Sequence, residues 1–84
     1  MKAENAVRRA LANTDATLVC IHEFSDTRDR LFRIRRQDGS FARFYFSELE
    51  VVRNDDAGLQ MLAEARIRGA EPYSNVPESV AGYL

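Results

Sequence analysis

Cys20 and His22 are the residues whose types come closest to a reaction centre, and the chain holds one of each. Two apart on an extended strand, they share a face. A thiol beside an imidazole supplies a nucleophile and a base, but acyl chemistry also needs an orienting group and an oxyanion site. Neighbouring positions of one strand do not provide these. A structural zinc needs four ligands, and there is no further cysteine or histidine to complete the set. The pair therefore reads as structural, with Cys20 in the core and His22 near a sheet edge.

Glu48, Glu50, Asp55 and Asp56 form a second acidic constellation, of the kind that holds a divalent ion or divides acid and base roles. Helix capping and complementation of helix dipoles explain the same positions more simply. Asp26 and Asp29 fit an ordinary turn, since the segment lacks the length and the glycine of a calcium loop. No glycine-rich phosphate loop, serine elbow or HExxH pattern occurs. The expectation is a protein that is not an enzyme, with no cofactor and no metal.

A third constellation joins charge to aromatic planes. Residues 30–46 read RLFRIRRQDGSFARFYF. Asp38-Gly39 marks a tight turn between two alternating runs. A two-residue loop would place Phe32 opposite Tyr45 and Arg33 opposite Phe44, mixing charge into both faces. A three-residue loop of Gln37, Asp38 and Gly39 puts glycine where positive φ is needed. Phe32 then faces Phe44, Ile34 faces Ala42, and Phe46 extends the apolar side. The other side carries Leu31, Arg33, Arg35, Phe41, Arg43 and Tyr45. The second register is preferred because it separates the faces, and a one-residue slip would exchange them. Arg33, Arg35, Phe41, Arg43 and Tyr45 are the candidate binding residues.

Around this hairpin the elements follow in order. Ala3, Ala6, Val7, Ala10 and Leu11 have the spacing of one helical face, which predicts a helix over residues 2–13. Arg8 and Arg9 leave that stripe for solvent. TLVCIHEF, residues 17–24, predicts a strand apolar on both faces, covered twice or with one face kept for a partner. A polar connection, residues 25–29, leads into the hairpin and completes a three-stranded antiparallel meander. Ser47-Glu48-Leu49-Glu50 is a capping box opening a short helix over residues 48–53, a fourth strand there being the alternative. Asp55 or Asp56 caps a longer helix ending near Arg68, stopped by Gly69 and Pro72. Residues 73–84 are too apolar for a free tail and are expected to dock on the domain or on a partner.

The fold predicted is α+β, one domain over residues 1–84, with the helices packed on the face of Phe32, Ile34, Phe44 and Phe46. So short a chain buries a modest share of its surface, leaving apolar area for a partner. Residues 28–43 carry net charge +4 and residues 47–84 net −4, so the molecule is a dipole within an overall charge of −1. A single cysteine suits a reducing compartment, and neither a secretory leader nor a membrane span is recognisable, so a cytoplasmic location is expected.

These features favour a small protein-interaction module acting through the arginine and aromatic face, with another protein or a second copy (a homodimer) as partner. The alternative is single-stranded nucleic acid, for which arginine beside stacking planes is suited. An acidic half and a lack of lysines weigh against a polyanion. A further possibility is that the chain's own carboxylates cover the arginines.

Overall fold

The computed structural model describes residues 2–73. Helix α1 (Lys2–Leu11) leads into β1 (Thr17–Glu23), β2 (Arg30–Arg35) and β3 (Phe41–Phe46). Helices α2 (Glu48–Arg53) and α3 (Asp56–Arg68) follow, and β4 (Glu71–Tyr73) closes the order. The strands form one antiparallel sheet in the order β1-β2-β3-β4. The α+β architecture stands, but the sheet has four strands where three were expected. Glu-Pro-Tyr is too short to show a period-two pattern, and Pro72 reads from sequence as a helix stop. An edge strand tolerates proline because it has one side without a ladder to donate to. The expected docking of the C-terminal segment falls, from residue 74 onward, outside the described residues.

The hairpin adopts the register that separates its faces. Phe32 pairs with Phe44 and Ile34 with Ala42, while Leu31, Arg33 and Arg35 pair with Tyr45, Arg43 and Phe41. The Arg36 amide donates to the Ser40 carbonyl at 2.8 Å and the Gly39 amide to the Arg36 carbonyl at 2.9 Å. Between them Gln37, Asp38 and Gly39 make the three-residue loop, and Gly39 takes φ of +87°. That conformation is open to glycine and costly for residues with a Cβ.

Helices α1 and α3 pack against each other on one face of the sheet. Their alanines, Ala3, Ala6, Ala10 and Ala63, are fully or almost fully buried and let the two backbones come close. Phe32, Ile34 and Phe46 fill the space beneath them, with Leu59 and Val7 from the helices. Phe32 stacks on Phe44 at 5.4 Å and meets Phe46 edge-on at 5.8 Å, arrangements aromatic rings favour. Arg9 does not simply point into water, as its sequence position suggests. Its Nε donates to Gln60 Oε1 at 2.9 Å and so ties α1 to α3.

Side chains fix where the C-terminal elements start. Ser47 Oγ accepts from the Glu50 amide at 3.2 Å while Glu50 Oε1 accepts from the Ser47 amide at 2.9 Å, the reciprocal capping box. Residues 48–53 are therefore helix, and the strand alternative fails. Asp55, of the two aspartates considered, caps α3 by accepting from the Gly58 amide at 2.8 Å. At the other end Arg36 Nη2 donates to the carbonyls of Ile67 at 3.3 Å and Ala70 at 3.5 Å. A cation there complements the negative end of the helix dipole.

Candidate binding face of the sheet

With the helices on one side, the opposite side of the sheet carries all five candidate residues. Arg33 faces Arg43 and Arg35 faces Phe41 across β2 and β3, with Tyr45 opposite Leu31. The Arg36 to Ser40 hydrogen bond sets the phase of the ladder. By alternation Arg33 and Arg43 form a non-hydrogen-bonded pair, the kind with closer side chains. Like charges directly opposite are unfavourable on their own. Glu71 of β4 relieves this in part, its carboxylate 3.9 Å from Arg43 Nε. Arg33, Phe41 and Arg43 each have interactions within the chain, whereas Arg35 is exposed and Tyr45 is 48% exposed. One carboxylate of the acidic half, Glu71, thus lies beside Arg43.

Strand β1 extends this face. It pairs Leu18 with Ile34 and then Cys20 with Arg33, leaving Val19 as a one-residue bulge. The bulge explains the double-faced apolar pattern of this strand. Leu18 and Ile21 pack against the core from one side, while Val19 and Cys20 fall on the other. Val19 is 50% exposed, and Cys20 and His22 are exposed as well. Cys20 is therefore not a core residue, contrary to the expectation from its apolar neighbours. The inserted Val19 breaks the alternation from which burial was inferred. His22 lies at the edge strand as expected, on the same face as Cys20.

Sequence reasoning missed an aromatic strip at one end of the face. The His22 and Phe24 rings meet edge-on at 4.7 Å, and Phe24 stacks on Tyr45 at 6.5 Å. Leu31, opposite both His22 and Tyr45, is only 5% exposed and does not belong to the helix-side core. The spacing of His22 and Phe24, two apart like Cys20, was the available signal. It becomes useful once the register of β1 on β2 is known.

No protein-family model matches this chain, and no curated protein or solved structure matches it either. The face must be read from its own chemistry.

The carboxylates considered for catalysis are held elsewhere by structural partners. Glu48 lies 3.2 Å from the buried Arg30, which also approaches Glu23 at 3.4 Å. The Glu48 amide donates to Asp29 Oδ1 at 3.2 Å, so Asp29 is more than a turn residue. Glu50 grips Arg66 through both carboxylate oxygens, and Arg66 Nη1 also donates to the Tyr45 carbonyl at 2.9 Å. Hydrogen bonding to Arg66, helped by the Ser47 amide, lowers the Glu50 carboxyl from 4.5 to about 2 against the opposing effect of burial. Asp38 is also held below the ordinary carboxylate range, first by the Ser40 hydroxyl and then by its amide. Among the described residues no three His, Cys, Asp or Glu side chains gather in a way that would hold a metal ion. No helix there is long and apolar enough to cross a membrane.

Proposed function

We propose that this protein is a small non-enzymatic interaction module that binds another protein, or a second copy of itself, through the helix-free face of its sheet. One observation carries the reading. The apolar surplus of residues 17–24 is not fully buried among the described residues, because Val19 stands half exposed on the same strand as exposed Cys20 and His22. Exposed aromatic and aliphatic groups bordered by arginine have the composition of an interface centre with a polar rim. Arg35 and Tyr45 are the accessible contacts, and Arg33, Arg43 and Phe41 shape the surface between them.

The test compares wild-type protein with Arg35→Glu and Tyr45→Ser variants of unchanged melting temperature. Native lysate is passed over each, and the mass of the purified protein is measured by light scattering. A partner or dimer seen with wild type and lost at least tenfold with either variant supports the reading. A strictly monomeric protein whose captured material is the same for all three proteins overturns it. Salt-sensitive binding to single-stranded RNA or DNA, weakened by Arg35→Glu, would move the assignment to nucleic acid.

A further inference from the structure

The tip of the hairpin joins a structural requirement to a chemical liability. Position 39 takes positive φ, which glycine supplies, so an aspartate is followed here by a residue with no side chain. Among the aspartates of the chain, Asp38 is the one that precedes glycine. Asp38, Gly39 and Ser40 are all exposed, and no atom stands within 4 Å of the place a Cβ at residue 39 would occupy. No side chain therefore bars the Gly39 nitrogen from closing on the Asp38 carboxyl.

The loop opposes that closure through Ser40. Asp38 Oδ1 accepts from the Ser40 hydroxyl at 2.6 Å and from the Ser40 amide at 2.9 Å, so the carboxylate is turned onto the residue beyond glycine. The Gly39 N–H is itself engaged by the Arg36 carbonyl at 2.9 Å. The Ser40 hydroxyl and amide, with the Arg36 charge nearby, favour the ionised carboxylate. Cyclisation instead requires the neutral acid, from which water can leave.

We infer that Asp38 is a site of spontaneous conversion to isoaspartate, and that Ser40 sets its rate by holding the carboxyl away from the Gly39 nitrogen. The Gly39 nitrogen bonds to Asp38 Cγ, and one carboxyl oxygen leaves as water with the carboxyl proton and the Gly39 amide proton. Water then adds to the backbone carbonyl carbon of Asp38 and breaks its bond to the Gly39 nitrogen. The product keeps the mass of the original, with the chain running through Cγ and the former backbone carbonyl released as a carboxylate. It has one more main-chain atom between Arg36 and Ser40, so the two hydrogen bonds that close the loop must be rebuilt in a different geometry.

Wild type, Ser40→Ala and Ser40→Thr, checked for equal melting temperature, are incubated in mildly acidic buffer, each both folded and in urea. Isoaspartate at residue 38 is quantified by chromatography of the isomeric tip peptides and fragmentation that distinguishes the two linkages. Folded wild type should convert at least tenfold more slowly than wild type in urea. Folded Ser40→Ala should convert at least fivefold faster than folded wild type, Ser40→Thr should stay within twofold of it, and all three should convert alike in urea. Equal rates for folded and unfolded wild type overturn the inference without reference to any variant. A folded Ser40→Ala as slow as wild type overturns the part given to Ser40, and the absence of conversion in urea overturns the site itself.

Discussion

Breaking the ion pair between Glu50 and Arg66 should show how α2 is held to the rest of the domain. Glu50 is lowered from 4.5 to about 2. At about 1.4 kcal/mol per tenfold change in proton affinity, that corresponds to an upper value of roughly 3 kcal/mol. The two side chains are 31% and 29% exposed, so solvent screening reduces the expected contribution to roughly 1–2 kcal/mol. A double-mutant cycle of Glu50→Gln and Arg66→Met, followed by urea denaturation at pH 7, should give a coupling of that size. The pH dependence has a definite sign. The folded state holds the carboxylate more acidic than the unfolded state does, so the contribution is complete above about pH 4.5. It is lost as the pH falls through about 2. A carbon-detected NMR titration should place Glu50 near 2 in the wild type. In Arg66→Met it should rise, because the hydrogen bond from Arg66 is the largest influence lowering it. Single-variant effects additive within about 0.5 kcal/mol, or a wild-type midpoint near 4.5, would refute the reasoning.

Two backbone positions give further expectations. Arg28 occupies the left-handed region at φ of 62° and, among the described residues, makes a long 3.8 Å approach to Glu48, so Arg28→Gly should raise stability by roughly 0.5–1 kcal/mol in thermal unfolding. A loss of stability on that change would mean that the exposed ion pair outweighs the strain. Gly39→Ala meets no neighbouring atom within 4 Å, yet it should cost roughly 1–2 kcal/mol because of its φ alone. Circular dichroism melting of that variant at wild-type temperature would show that the turn relaxes.

The sequence made the hairpin legible because three independent constraints agree on it. Gly39 supplies the φ the loop requires, Phe32 and Phe44 must face one way, and the arginines must face the other. Capping was equally readable, since Ser47 with Glu50 and Asp55 with Gly58 act over three residues and need no tertiary context. What failed depended on long-range pairing. The bulge at Val19 is defined only against Ile34 and Arg33, so β1 looked apolar on both faces and Cys20 was assigned to the core. Strand β4 exists because β3 is there to pair with it, and nothing in Glu-Pro-Tyr announces it. The candidate residues on β2 and β3 were placed correctly on one face. The contributions of His22 and Phe24 awaited the register of β1.

Arg36 has a consequence for how the domain opens. It belongs to the tip of the β2 to β3 hairpin, yet its guanidinium bonds to Ile67 in the last turn of α3 and to Ala70 in the link to β4. The hairpin tip and the last turn of α3 are therefore one cooperative unit, although some thirty residues separate them along the chain. A fluctuation that frees β4 from β3 must also release the helix end or break the arginine's grip. Local opening at this corner should expose amides of both segments together, with a shared free energy in native-state hydrogen exchange. Among the described residues the β1 edge has no such clasp, so the two edges of the sheet should open with different free energies.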